Sequence, residues 1–411
     1  MRGGSKMKFK RLGILTMCVV GLLFINVPQV WSSEVLKIGI VGPLQKEAGI
    51  GEKNAGEMAA EEINASGGIL GKKIELVFID DGARPETGIN AVKKAIYEDK
   101  VDVISGGWLS GVALAQADHI FDAKKLWLSV GPATPKLTKY VKNNYERAKY
   151  FFRAGSVNSD NFAKDYVIFA EAFYKDKLGL TKVALLPESS TWAREMARYL
   201  KPALKEKGFE IVYMDVFDPK QTDFSPQFSK IRNSGAQILF TVQAASPGVP
   251  LTKQWAETKL PVHQAGYSMA SQVFNFWDKT GGKCYGEVTQ LINGGRAPIT
   301  EKTIPFYDKY VKRYGISPTY SAFGEYDALY ALKEAAEKCQ SLDTDKLIKE
   351  LEKIQYRGAA GTLAFDQYHD SLYGEGGKQP VWVQWQGPRK MEVIFPFKWK
   401  TAEYVTPPWI K

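Results

Sequence analysis

Beyond residue 34 the hydrophobic positions fall into short blocks that switch between two periods. Leu36–Val41 is a near-continuous apolar run ended by Gly42-Pro43, the pattern of a strand buried on both faces. From Glu52 to Asn64, Ala55, Met58, Ala59 and Ile63 recur at helical spacing, and Gly67-Gly68 stops the helix. Ile74–Ile79 predicts a second strand, and Pro85 opens a helix with Ile89, Val92 and Ile96 along one side. A strand over Val101–Ser105, a helix over Val112–Asp122 and a strand over Leu126–Val130 follow. The alternation then restarts, with strands at Val183–Leu186, Glu210–Val216 and Ile238–Val242 and helices at Trp192–Lys205, Phe224–Asn233 and Val249–Thr258. Phe151–Lys177 reads as a connector running into the first helix of this second series. Two such series predict an α/β chain with two parallel sheets, each covered by helices on both faces. Trp382, Trp385, Phe395, Phe397, Trp399 and Trp409 make the chain end too aromatic for a loose terminus, so it is expected to pack against a lobe.

Length agrees with that count, since 411 residues suggest two domains, at most three. With 45% apolar and 24% charged residues the composition excludes wholesale disorder, collagen-like repeats and a polytopic membrane protein. The net charge of +10 is unevenly placed: residues 1–33 hold five Lys/Arg and no acid, leaving 50 basic against 45 acidic residues in the other 378. A surplus of five with no basic cluster is not a nucleic-acid footprint.

Residues 1–33 have the order of an export signal. Met7 to Arg11 is a short basic region, Leu12 to Ile25 is a run of 14 mostly apolar residues, and Val30 to Ser32 offers a cleavage site. A run of 14 is too short to cross a hydrocarbon core of ~30 Å as a helix. The mature chain is therefore expected to begin near Ser33 or Glu34 and to work outside the cytoplasm, in the periplasm, with no membrane insertion once the signal is removed.

Catalytic motifs are sparse. His119, His263 and His369 show no metal-binding spacing, and Cys284 and Cys339 lie in no CxxC pair, so neither a metal nor a cofactor is expected. The two cysteines are either a single bridge or two buried thiols. Gly266-Tyr267-Ser268-Met269-Ala270 nearly matches the GxSxG nucleophile elbow, but Ala replaces the last glycine and no oxyanion loop accompanies it. A small-residue turn explains it more simply than a serine hydrolase, and no catalytic residue is assigned.

What remains are loops at the carboxyl ends of strands, where open α/β sheets bind ligands. Gly106-Gly107-Trp108-Leu109-Ser110-Gly111 follows one strand and enters a helix; its free amides and helix dipole favour a carboxylate, and Ser110 is placed to cap the helix. Ser129-Val130-Gly131-Pro132-Ala133-Thr134-Pro135 follows the neighbouring strand.

These residues resemble a known family. EVLKIGIVGPL, AAEEINASGGILGKKIELVFIDD, DVISGGWLSGVALAQA and LWLSVGPATPKLT, followed by a second α/β lobe, are similar to the periplasmic solute-binding proteins of branched-chain amino-acid ABC transporters, over essentially all of Glu34–Lys411. The resemblance implies two Rossmann-like lobes closing as a clamshell about a three-segment hinge near Phe151–Arg153, Val288–Asn293 and Lys378–Val381. Lobe 1 would comprise 34–151 and 292–379, and lobe 2 152–291 and 380–411. It also implies a monomeric receptor that hands a small carboxylate-bearing ligand to a membrane permease. A sensory receptor of the same shape, with no transport role, is the alternative. By the same resemblance Ser110 matches the carboxylate-binding serine, Gly131 with Ala133 or Thr134 the ammonium acceptors, Ile50 a side-chain contact and Trp192 the closing aromatic. One departure stands out: the acidic partner of the ammonium would fall within 264–268, where Tyr267 stands instead. Trp108, Trp192 and Tyr267 then form either an aromatic clamp or part of the lobe cores, and a clamp without an acid suits a carboxylate that lacks the amine, such as an aromatic or other hydrophobic acid.

Overall fold

A computed structural model describes Met1, Gly3, Gly4 and residues 35–411 except 156, 157, 245–247, 293 and 375. The expected export signal lies outside the described residues, apart from Met1, Gly3 and Gly4. Among the described residues no helix is long and apolar enough to cross a membrane.

The first series gives β1 (Leu36–Gly42), α1 (Glu47–Ala65), β2 (Ile74–Asp80), α2 (Pro85–Tyr97), β3 (Val103–Gly106), α3 (Ser110–Asp122), β4 (Leu126–Ser129), α4 (Lys136–Asn143), α5 (Tyr145–Ala148) and β5 (Phe151–Arg153). Its strands form one parallel sheet in the order β2-β1-β3-β4-β5. α6 (Ser159–Phe169) continues into a π-helical turn at Ala170–Lys175. The second series is β6 (Lys182–Pro187), α7 (Thr191–Glu206), β7 (Glu210–Met214), α8 (Ser225–Ser234), β8 (Ile238–Gln243), α9 (Gly248–Glu257), β9 (His263–Ser268), α10 (Asn275–Thr280) and β10 (Val288–Leu291). Three helices, α11 (Thr303–Tyr314), α12 (Tyr320–Cys339) and α13 (Thr344–Leu351), and a small hairpin of β11 (Tyr356–Gly358) and β12 (Gly361–Leu363) follow. β13 (Val381–Gly387) and β14 (Lys390–Phe395) close the larger sheet, β14-β13-β10-β9-β8-β6-β7.

That sheet corrects the all-parallel expectation. β13 pairs antiparallel with β10, and β14 antiparallel with β13, so aromatic residues read as a packed tail are partly sheet. Trp382 and Trp385 point into the interior from β13, and Trp409 meets Trp255 with ring centroids 4.9 Å apart. α1 differs as well: it begins at Glu47, five residues before the predicted start, with an acidic side chain in its first turn to meet the helix dipole.

Each sheet is buried on both faces. Ile38, Leu128 and Phe152 face α12 and α13 on one side of the smaller sheet, while Ile104, Trp127 and Phe151 face α2 and α3 on the other. In the larger sheet Phe240 and Val242 meet α6 and α7, and Leu239 and Ala184 meet α8 and α9. Residues 34–411 make one compact unit that contains both sheets.

The chain passes between the sheets after β5, after β10 and between β12 and β13. Buried polar side chains tie these passages together. Asp165 of α6 accepts from Tyr373 Oη at 3.0 Å, from Trp382 Nε1 at 2.8 Å and from Gln290. The Lys378 ammonium donates to the carbonyls of Ala154 and Gly155.

Candidate binding site

The carboxyl ends of both sheets face one cavity of about 260 Å³. The smaller sheet contributes Trp108, Leu109 and Ser110 after β3, and Gly131 and Ala133 after β4. From the larger sheet come Trp192 after β6, Ala244 after β8 and Tyr267 of β9. Phe162 of α6 and Tyr320, the first residue of α12, complete the wall. Among the described residues no charged side chain lines it.

Backbone geometry explains how the two loops reach the cavity. Gly106 and Gly107 take φ of +90° and +100°, and a Cβ at Gly106 would stand 2.4 Å from the Val41 carbonyl oxygen, so only glycine turns the chain there. A Cβ at Gly131 would lie 2.3 Å from the Gly107 carbonyl oxygen, which lets the two loops touch.

The first loop supplies donors. α3 starts at Ser110 behind an N-cap, Leu109, that gives no side-chain hydrogen bond, and no acidic residue occupies its first turn. Its opening amides have no carbonyl one turn back within the helix. Contrary to the expectation of a capping role, Ser110 Oγ accepts from the Thr134 amide at 3.2 Å. That bond leaves the hydroxyl proton of Ser110 to be donated.

Acceptors are spent on the second loop. The Gly131 carbonyl accepts from Tyr320 Oη at 3.3 Å. Arg153 donates through Nη1 to the Pro132 carbonyl and through Nη2 to that of Thr134 at 2.8 Å. The Ala133 carbonyl takes the Ser159 amide at 2.7 Å and the Ser159 hydroxyl at 3.1 Å. Even Thr134 Oγ1 accepts from the Lys136 amide at 3.2 Å. Arg153 is wholly buried, and its Nε pairs with Asp370 Oδ1 at 2.6 Å, so an ion pair beneath the loop holds its shape.

Aromatic rings form the opposite wall. Trp192 and Tyr267 centroids lie 5.3 Å apart, Phe162 stands 5.4 Å from Tyr267 and 5.7 Å from Trp192, and Tyr320 is 6.1 Å from Tyr267. These are edge-on or tilted contacts of the kind aromatic pairs prefer. Glu188 fixes the group from behind: Oε1 accepts from Trp192 Nε1 at 3.2 Å and Ser190 Oγ at 2.6 Å, and Oε2 from the Ala244 amide at 3.1 Å. Burial raises the pKa of the Tyr267 and Tyr320 hydroxyls, so both keep their protons.

Comparison with known proteins gives the family. A profile described as "Periplasmic binding protein" matches residues 36–376. The chain belongs to the periplasmic binding protein family. Leu/Ile/Val-binding protein homolog 3 of Brucella melitensis is 24% identical over 345 residues, covering 82% of this chain and 88% of the relative. Among solved structures, a branched-chain amino acid transporter substrate-binding protein from Streptococcus pneumoniae in complex with isoleucine superposes with a TM-score of 0.76 at 20% identity, covering 88% of this chain and 99% of that one. A solute-binding protein of an ABC transporter from Rhodopseudomonas palustris BisB5, in complex with 3,4-dihydroxybenzoic acid, superposes at 0.75 with 22% identity over 91% of this chain and 99% of that one.

For this binding protein the cavity gathers Trp108, Ser110, Gly131, Ala133, Trp192 and Tyr267 from the residues predicted. Two predicted residues stand elsewhere. Thr134 lies behind the wall, fully buried, with its amide on Ser110. Ile50 borders a separate recess with Val273, Tyr310 and Ile316, because the early start of α1 places it inside the helix. Phe162, Tyr320, Leu109 and Ala244 were missed. The sequence reading placed no element at Tyr320, although the Thr319 side chain, which caps α12 by accepting from the Ala322 amide, is a residue type that signals a helix start.

The near-miss elbow is buried. Ser268 ends β9 with a hydroxyl that has no hydrogen-bond partner. His263 Nδ1 pairs with Tyr404 Oη at 2.5 Å, and His369 pairs with the Phe151 carbonyl and Glu352. Both cysteines are free thiols, and burial pushes Cys284 up to about 12. Among the described residues no cluster of three metal-ligating side chains is present.

Proposed function

We propose that this chain is an exported, monomeric receptor that closes over one small carboxylic acid lacking an α-amine, most simply a single-ring aromatic acid, and presents it to the permease of an ABC importer. No covalent step is needed. The ligand touches both lobes only when they are closed, and that differential contact shifts the population toward the closed form.

The observation that carries the reading is that every carbonyl from Gly131 to Thr134 accepts from a protein donor, in a cavity lined by no acidic side chain among the described residues. An ammonium there would meet no carboxylate among the described lining residues, only carbonyls that already hold a protein donor, and burying such a charge without a countercharge costs several kcal/mol. A carboxylate would find the Ser110 hydroxyl and the opening of α3, and a ring would face Phe162, Trp192 and Tyr267. The neighbouring fold with a bound dihydroxybenzoate supports an aromatic acid, whereas the isoleucine complex shares the fold but represents the other ligand class.

A thermal-shift panel of the purified mature chain tests this, with benzoate and hydroxybenzoates against leucine, isoleucine and valine. The aromatic acids are expected to raise the melting temperature and the amino acids to leave it unchanged. A rise with the amino acids alone would refute the ligand class.

A further inference from the structure

The binding cavity has a neighbour. A second hollow of about 570 Å³ lies beside it, and Trp108, Leu109 and Ala244 border both spaces. Its far side is formed by residues such as Pro219, Val249 and Met269, and Lys46, Lys220 and Lys279 stand around it against one carboxylate, Glu47, which Lys279 already meets at 3.2 Å. The outer space is the larger of the two, and those three residues stand between them.

The two tryptophans of the site are held differently. Trp192 has its indole N–H on Glu188 and its ring against Phe162 and Tyr267. Trp108 is buried to 8% exposure by apolar packing, and among the described residues neither a hydrogen bond nor a ring pair fixes it. It follows two glycines in positive φ, so its position is set by loop geometry and by what fills the space around it.

We propose that Trp108 is the size-determining wall of the site and that the hollow beyond it is an extension subsite, closed in the native protein, for carboxylic acids longer than one ring. The proposal rests on the reading of the cavity as a carboxylate site. Leu109 and Ala244 also stand between the two spaces, but Ala244 has no bulk to remove and Leu109 is the N-cap that shapes the start of α3. The apolar lining contributed by Val249 and Met269 suits a second ring.

Calorimetry with benzoate and biphenyl-4-carboxylate on the native protein, Trp108→Ala and Trp108→Leu decides it, with ligand-free melting curves establishing that each variant is folded. The native protein is expected to bind benzoate and to show at least tenfold weaker binding of the two-ring acid. Trp108→Ala is expected to reverse that order, and Trp108→Leu to fall between. Native binding of both acids with equal strength, or folded variants that weaken both equally, would overturn the size filter while leaving the ligand class intact. Failure of the native protein to bind either acid would overturn both.

Discussion

Tyr320 Oη donates to the Gly131 carbonyl across 3.3 Å, joining the first residue of α12 to the loop after β4. This contact occupies an acceptor that an amine-bearing ligand would require, and it does so with a hydroxyl whose pKa burial raises. On the proposed reading, Tyr320 helps the site to prefer acids that carry no α-amine.

Removing that hydroxyl tests the exclusion. In Tyr320→Phe the Gly131 carbonyl is released, so the preference for 3-phenylpropanoate over phenylalanine is expected to shrink about tenfold, the equivalent of ~1.4 kcal/mol. Unfolding by denaturant should show a stability loss of about 1 kcal/mol from the unmade bond. An unchanged preference would separate Tyr320 from ligand selection.

Ser110→Ala acts on the other end of the ligand. A hydrogen bond to a charged group contributes ~1.5–3 kcal/mol, so affinity for the preferred acid is expected to fall roughly ten- to a hundredfold by calorimetry. The same change leaves the Thr134 amide without its acceptor, so a smaller loss of ligand-free stability accompanies it. Undiminished affinity would remove Ser110 from the carboxylate site.

Arg153 and Asp370 hold the acceptor loop from beneath. Asp370→Asn leaves a wholly buried guanidinium without its countercharge, and breaking a pair of this kind costs ~3–5 kcal/mol. Both the melting temperature and the ligand affinity are expected to drop, because Arg153 also carries the Pro132 and Thr134 carbonyls. A variant that loses stability yet binds with native affinity would show that the loop keeps its shape without the pair.

The lobe beneath the site contains two carboxyl groups wholly inside the protein, Glu52 of α1 and Glu325 of α12. Burial pushes Glu325 up to about 8 and raises Glu52 well above the usual carboxylate range. A group whose folded pKa is raised favours the folded state below its unfolded pKa and loses that contribution as pH rises through the folded value. The native protein is therefore expected to lose stability relative to Glu325→Gln between pH 5 and 8, by up to ~1.4 kcal/mol per pH unit. Parallel stability curves for the two proteins would contradict a protonated Glu325.

Much of this arrangement can be read from the chain. The apolar runs at Leu36–Val41 and Leu126–Val130 and the helical spacing of Val92 and Ile96 are consequences of two-sided burial, so the parallel sheets and the loops at their ends are local properties. Trp108, Ser110 and Gly131 follow from that placement. Tyr320 does not, because it reaches the loop after β4 from nearly two hundred residues away, and an aromatic residue on a helix usually belongs to the core. The spent carbonyls of Pro132 and Thr134 depend on Arg153, whose guanidinium is read as hinge until the fold brings it under the loop. Ile50 misled for the opposite reason: its place near the first strand end was legible, while the early start of α1 was not.

The most direct measurement compares acids that differ only by the amine. Titrating the mature protein with 3-phenylpropanoate against phenylalanine, and with 4-methylpentanoate against leucine, isolates the ammonium from size and shape. The amine-free member of the better-binding pair is expected to bind at least a hundredfold more tightly, since an unpartnered buried ammonium costs several kcal/mol. Tighter binding of phenylalanine or leucine than of its deaminated counterpart would contradict the account.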